Sequence, residues 1–222
     1  MKLAHYSSRA TLMQSLAEAM AAELRSALRT GPATLSVPGG TTPAPVFDTL
    51  SGMDLDWGQI AVVLNDERWV GEGSDRSNTR LLKAHLLVGP AAAAILVPMY
   101  MDLPTPEDAL PALAAGITLH LPITVLFLGM GNDMHTASLF PGADLLAQAL
   151  ADDAPPVMAL RAADAGEPRI TLTAPVLKAA RHIHILITGA EKRSVLERAL
   201  QLPATEAPVQ VVLDKATVHW AE

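Results

Sequence analysis

Apolar residues along this chain fall into two kinds of pattern. From residue 7 to residue 30, leucine and methionine recur every fourth residue, at Leu12, Leu16, Met20, Leu24 and Leu28. This spacing predicts an amphipathic helix with one buried stripe, which ends at Gly31-Pro32. Short, continuous apolar runs follow at residues 33–37, 60–65, 93–98, 123–129, 182–189 and 209–214. Continuous runs are typical of strands that are covered on both faces.

Helical patterns alternate with these predicted strands, notably over residues 78–87, 106–119 and 191–200. The alternation predicts an α/β fold: a doubly wound, mainly parallel sheet with helices on both faces, as in a Rossmann-like three-layer sandwich. We expect one domain over residues 1–222, with the Pro/Ala-rich segments 102–113 and 151–168 as surface connections. Ligands of such sheets bind beyond the carboxyl ends of the strands, so the chemistry should lie there.

Composition narrows the function classes. Half of the residues are apolar and 18% are charged, which favours a large core, and the absence of cysteine excludes thiolate catalysis and cysteine-bound metals. A net charge of -7 without a basic block argues against a nucleic-acid partner. No apolar run reaches the roughly 18 residues of a membrane helix, and no signal segment is evident. We therefore expect a soluble, cytoplasmic protein without a membrane partner, and a monomer is favoured.

The segment "PGGTTP" follows the first continuous apolar run. Gly39 and Gly40 permit a sharp turn, Thr42 can cap a helix, and Pro43 suits the first helical position. Free backbone N–H groups at such a helix start suit a phosphate. An ordinary strand-to-helix turn explains this segment equally simply, and the spacing of a nucleotide-binding loop is absent.

Charged residues stand at two further strand ends and after a proline turn. Asp66 and Arg68 end an apolar strand in "NDERWV", where they form either a structural ion pair or a substrate contact. Lys192 lies in the first turn of a predicted helix, where the helix dipole disfavours a cation unless an anion binds beside it. Arg169 follows a proline turn in "EPRITLT". Either of these two cations has the alternative of a solvated surface position.

Histidines offer two candidate sites. His135 follows a predicted strand in "LGMGNDMHTASLFPG", beside Asp133, and a neutral imidazole there can take a proton from water near pH 7. A structural loop histidine is the alternative. His182 and His184 lie two residues apart in a predicted strand and point the same way, so they could share a metal. No third ligand is evident nearby, so we expect no metal site.

Together, these segments resemble the 6-phosphogluconolactonase branch of the glucosamine-6-phosphate isomerase/6-phosphogluconolactonase family. The resemblance spans about the whole chain and rests, in order, on "PGGTTP", "NDERWV", "SNTRLLKAHLL", "LGMGNDMHTASLFPG" and "PRITLTAPVLKAARHIHILITGAEKRSVL". The part "HTASLFPG" is the most specific, and the glycine turn is the least.

The resemblance implies a metal-free, cofactor-free hydrolase that opens 6-phosphoglucono-δ-lactone in the oxidative pentose phosphate pathway. It implies that His135 is the general base for the attacking water. The residues that would hold the phosphate are Gly39, Gly40, Thr41, Arg169 and Lys192. Asp66 and Arg68 would line the sugar side.

Two other functions stay open as alternatives. Isomerase relatives carry a glutamate five residues after the histidine, and this chain has Phe140 there, which cannot relay protons. A non-catalytic sugar-phosphate-binding domain is the other alternative, although one helix before the first predicted strand leaves no room for a DNA-binding module. This chain also departs from the family pattern, because Met134 stands where glycine is usual and Pro38 where a small residue is common. A positive φ at Met134 would carry strain of about 1 kcal/mol or more.

Overall fold

The computed structural model describes residues 1–163 and 165–222. The strands are β1 Lys2–His5, β2 Ala33–Val37, β3 Ile60–Leu64, β4 Asp66–Arg68, β5 Ile95–Val97, β6 Val125–Gly129, β7 Val157–Leu160, β8 Arg169–Leu172, β9 His182–Thr188 and β10 Thr217–Ala221. The helices are α1 Arg9–Leu28, α2 Ala44–Ser51, α3 Asn78–His85, α4 Pro106–Thr118, α5 Leu146–Leu150, α6 Ala174–Lys178, α7 Gly189–Ala199 and α8 Gln210–Leu213.

Seven strands form a parallel sheet in the order β1-β10-β9-β6-β2-β3-β5. Every residue of β2 and β3 is buried, which matches their continuous apolar sequences. Helix α1 begins after Ser8, whose hydroxyl accepts from the Thr11 N–H. It buries the predicted stripe up to Leu24, whereas the last member, Leu28, is only partly buried. The predicted doubly wound α/β fold is confirmed. None of the described helices combines the length and hydropathy needed to cross a membrane.

A second, antiparallel sheet of three strands, in the order β4-β8-β7, was not anticipated. The prediction that residues 151–168 form a surface connection is wrong, because β7 lies within them and is buried throughout. This sheet could not be predicted, because strands of three or four residues near proline residues show too little periodicity to recognise.

The predicted strand over residues 209–214 is also wrong. This segment contains the short helix α8, and its buried residues Val209, Val212 and Leu213 have helical spacing. The last strand of the sheet is instead β10, which pairs with β1 and β9. A short apolar run does not distinguish a buried strand from a buried helical turn.

Candidate active site

A cavity of about 410 Å³ opens at the carboxyl ends of β2, β6 and β9, beside the second sheet. Seven of the eight predicted site residues line it: Gly39, Gly40, Asp66, Arg68, His135, Arg169 and Lys192. Thr41 is exposed and does not line it, whereas the neighbouring Thr42 does. The strand-end rule therefore located residues that lie more than 150 positions apart in the sequence.

The glycine turn has two different requirements. Gly40 has φ +86°, a conformation that L side chains rarely adopt. At Gly39, a Cβ atom would overlap the side chain of Asn78, which packs directly against the glycine. The predicted cap is wrong in detail, because Pro43 occupies the N-cap position of α2 and Thr42 makes no capping bond.

Glu67 fastens the start of α3 to the cavity wall. Its buried carboxylate accepts backbone N–H bonds from Arg68, Asn78 and Thr79, each at 2.8 Å, and bonds from the hydroxyls of Ser77 and Thr79. These bonds satisfy orphan donors at the helix start with a negative charge. Glu67 therefore holds both Asn78 and Arg68 in place, although no pattern in the sequence indicates these partners.

Two arginines face each other across the second sheet. Arg68 on β4 is the direct partner of Arg169 on β8, and both line the cavity. Like charges directly opposite one another are destabilising, and the buried Nε atom of each has no partner among the described residues. Burial lowers the pKa of Arg169, although the charge of Asp66 opposes this change. This pair is therefore suited to an anion.

The carboxylate of Asp66 contacts Ser138 and Arg169 rather than Arg68. Its Oδ2 accepts from the Ser138 hydroxyl at 2.5 Å and lies 4.0 Å from Nη1 of Arg169. Arg68 instead donates from Nη1 to the carbonyl of Arg76 at 2.6 Å. The structural Asp66–Arg68 ion pair considered from the sequence is thus absent among the described contacts.

His135 is held by one ring nitrogen. Its Nδ1 lies 2.6 Å from Oδ1 of Asp133, and its backbone N–H also donates to this oxygen, at 3.2 Å. A carboxylate can only accept, so Nδ1 carries the proton and the lone pair is on Nε2. No hydrogen-bond partner of Nε2 occurs among the described residues. Burial alone would raise the pKa of Asp133. The hydrogen bonds and charge of His135 outweigh this effect, so the pKa of Asp133 is lowered overall.

Gly131 is required by this pair. A Cβ atom at position 131 would overlap both Nδ1 of His135 and Oδ1 of Asp133. The Gly131 N–H also donates to the carbonyl of His135 at 3.0 Å, and the Met134 N–H donates back to the carbonyl of Gly131 at 3.1 Å. The loop therefore closes on itself with the imidazole and carboxylate lying over a bare Cα.

Met134 has φ +68°. It therefore adopts the left-handed backbone conformation that strains a residue with a side chain. Its carbonyl accepts from the Val209 N–H, just before α8, at 3.1 Å. Ala137 also has a positive φ, of 49°. The loop thus reaches the backbone shape usual for glycine with a methionine, which is held by a bond from a distant segment.

Phe140 lies beside the histidine. Its ring centroid is 4.3 Å from that of His135, and the guanidinium of Arg169 lies 5.8 Å from the Phe140 centroid. One apolar ring therefore packs against both the imidazole and the cation.

Lys192 lies in the first turn of α7, as predicted, and its Nζ donates to the carbonyl of Met130 at 2.7 Å. Burial lowers its pKa, and the charges of Asp133 and Glu191 oppose this change. No carboxylate among the described residues lies within ion-pair distance of Nζ.

His182 and His184 do contact a common group, but it is the carboxylate of Glu23. His182 Nδ1 lies 3.3 Å from Oε1, and His184 Nε2 lies 2.8 Å from Oε2. Over the residues described, no group of three histidine or acidic side chains could hold a metal.

Comparison with known proteins agrees with this geometry. The family described as "Glucosamine-6-phosphate isomerases/6-phosphogluconolactonase" matches residues 7–220. A 6-phosphogluconolactonase of Rhizobium meliloti (strain 1021) is 41% identical over 219 residues, which are 95% of this chain and 94% of that protein. The crystal structure of a 6-phosphogluconolactonase from Shewanella baltica OS155 superposes with a TM-score of 0.96 at 32% identity, covering 100% of this chain and 98% of that one. The chain therefore belongs to the glucosamine-6-phosphate isomerase/6-phosphogluconolactonase family.

Proposed function

We propose that this chain hydrolyses 6-phosphoglucono-δ-lactone to 6-phosphogluconate in the pentose phosphate pathway, with His135 as the general base. The observation that carries the proposal is the state of the imidazole: Nδ1 is fixed by Asp133, while Nε2 has no partner among the described residues and its side chain lines the cavity. The relatives named for this hydrolysis match over nearly the whole chain.

The reaction needs one proton acceptor. Nε2 of His135 removes a proton from a water molecule as the water oxygen attacks the lactone carbonyl carbon. The C–O bond to the ring oxygen then breaks, and the imidazolium returns the proton to that oxygen, which gives a carboxylic acid and a hydroxyl. Asp133 holds the imidazole in the required tautomer and stabilises its charged form. A well-placed base contributes about 10² to 10⁴ in rate.

The cations of the cavity are proposed to orient the substrate through its phosphate. Arg169 and Lys192 hold the phosphate dianion, together with N–H groups of the turn from Gly39 to Thr41. The unpaired Nε atoms and the facing charges of the two arginines support this assignment. Arg68 contacts the sugar side, and Asp66 holds Arg169 and Ser138 in place. Binding energy from the remote phosphate is thereby used to position the carbonyl.

The isomerase alternative is disfavoured by the surroundings of His135. Ring opening of an amino sugar needs a second proton relay, and Phe140 packs on the imidazole where a glutamate would supply it. A non-catalytic binding domain would have no need for a carboxylate held on Nδ1 of a cavity histidine.

The test is to generate the phosphorylated lactone in situ and to follow hydrolysis above the spontaneous rate, with and without a chelator. We expect chelator-insensitive acceleration, and no turnover of glucosamine 6-phosphate. A rate equal to the spontaneous one would refute the proposed function, and loss of activity with the chelator would refute a metal-free mechanism.

We further propose that the chain works as a single-domain monomer in the cytoplasm. Among the described residues, the large exposed apolar side chains, such as Leu119 and Ile95, are few. Sedimentation of the active protein tests the monomer directly.

A further inference from the structure

Lys192 has a bond that phosphate binding does not explain. Its Nζ donates to the carbonyl of Met130, which lies directly after β6 at the start of the histidine loop. This is a bond from an ammonium group, and such charge-assisted bonds are shorter and stronger than neutral ones. It joins helix α7 to the loop across 62 positions of sequence.

The position of this bond links it to the general base. The carbonyl of Met130 and the N–H of Gly131 belong to one rigid peptide unit. Lys192 binds the oxygen of that unit. The N–H of the same unit, which belongs to Gly131, donates to the carbonyl of His135 at 3.0 Å. Rotation of the unit would break both bonds, and the unit ends at the Cα of Gly131, over which the side chains of Asp133 and His135 lie.

A second contact joins the same two elements. The side-chain amide of Asn132 donates to Oε1 of Glu191 at 2.9 Å, one residue before Lys192. The start of α7 is itself fixed, because the indole of Trp220 donates to the carbonyl of Gly189 at 2.9 Å. Both contacts hold the first turn of α7, so the backbone of Lys192 has a fixed position relative to the loop.

We infer that Lys192 is a positioning residue for His135, in addition to the phosphate contact proposed above. Its ammonium has three donors, of which the carbonyl of Met130 uses one. The others remain for an anion in the cavity, so one side chain holds both the substrate's remote end and the peptide unit beneath the base. The contact between Lys192 and the loop is independent of the proposed function, whereas the phosphate contact and the role of His135 as the base rest on it.

The test compares Lys192→Ala and Lys192→Arg with the parent protein. In the ligand-free protein, we expect amide hydrogen exchange at Gly131 to become about tenfold faster in Lys192→Ala, since one charged hydrogen bond is lost. With the phosphorylated lactone, kcat at saturating substrate should fall about tenfold, in addition to a rise in KM. Lys192→Arg, which can still donate to the carbonyl, should restore most of the exchange protection and of kcat.

Lys178→Ala is the matched control, because this lysine binds Asp152 on the surface, away from the cavity. It should change neither Gly131 exchange nor kcat. The inference is overturned if Lys192→Ala changes KM alone, or if exchange at Gly131 stays at the parent rate. Should the parent protein fail to hydrolyse the lactone, the proposed function falls, while the exchange measurement still decides whether Lys192 holds the loop.

Discussion

Two histidine networks in this protein use the same side chain in opposite ways. At the cavity, Nδ1 of His135 is held by Asp133, and 31% of the His135 side chain is exposed. Between α1, β9 and β10, the side chain of His184 is 7% exposed, and both of its ring nitrogens have partners. The first network leaves a nitrogen for chemistry, and the second does not.

The buried network is a continuous chain of bonds. His184 Nε2 lies 2.8 Å from Glu23, His184 Nδ1 lies 3.0 Å from His219 Nε2, and His219 Nδ1 lies 2.8 Å from the hydroxyl of Tyr6. One order of protons satisfies every atom: Tyr6 donates to His219, His219 to His184, and His184 to the carboxylate. Both imidazoles are neutral in this order.

The difference shows that a histidine's surroundings, rather than its spacing in the sequence, decide its role. His182 and His184 have a spacing that metal sites use, yet they share the carboxylate of Glu23. His135 is single in its segment, yet its Nε2, which has no partner among the described residues, lies in a wall with Arg169 and Lys192. Substitutions in the two networks should therefore affect different quantities.

The largest expected effect is on catalysis at the cavity. His135→Asn removes the base, so kcat for the phosphorylated lactone should fall by at least about 10²-fold, with little change in the melting temperature. His85→Asn is the matched control, since His85 forms a similar pair with Asp48 outside the cavity. Near-parental turnover by His135→Asn would remove His135 as the base.

The next effect is on stability in the buried network. His184→Ala removes the partner of Glu23 Oε2 and of His219 Nε2 at the buried centre of the network. We expect a loss of about 2–4 kcal/mol in the free energy of unfolding with kcat unchanged in the folded protein. His182→Ala, at the exposed end of the network, should cost about 0.5 kcal/mol or less. Urea titrations measure both, and equal losses would contradict the structural role of His184.

Acid should weaken the same network. Burial, with the charges of His184 and Lys2, lowers the pKa of His219 from 6.5 to about 3. The unfolded chain therefore takes up a proton below about pH 6.5 that the folded chain does not accept until about pH 3, so stability falls as the pH falls through this range. The loss at about pH 5 should approach 2 kcal/mol. Stability that stays level between neutral pH and pH 5 in urea titrations would contradict this direction.

The smallest effect concerns the loop backbone. Because Met134 has φ +68°, Met134→Gly should leave stability unchanged or raise it by up to about 1 kcal/mol. Met101→Gly, at a residue without a positive φ, should destabilise through the greater freedom of the unfolded chain. Melting curves of the two variants decide this, and a clear loss of stability in Met134→Gly would show that no strain is relieved.

Much of the main sheet could be predicted from the sequence, because long apolar runs with turns between them report burial on both faces. The second sheet could not, since β4, β7 and β8 have only three or four residues each. Its strands are recognisable only through their pairing, which brings residues 66–68 against residues 169–171.

For the site, the sequence supplied positions but few partners. The strand-end rule indicated His135 and Lys192, and a proline turn indicated Arg169. The strand-end rule gave no role to Glu67, since four of its five bonds depend on where α3 begins. Nor did it give one to Gly131, whose missing side chain matters only once His135 is in place. These are long-range contacts, and composition or periodicity does not encode them.

The central claim is that His135 has its proton on Nδ1 and a free lone pair on Nε2. The most direct measurement is the ¹⁵N spectrum of histidine-labelled protein at about pH 9, where imidazoles are neutral, with His135→Asn identifying the signal. We expect a protonated Nδ1 and an unprotonated Nε2 for His135. A protonated Nε2 would contradict it, because that nitrogen could then donate to water but could not take a proton from it.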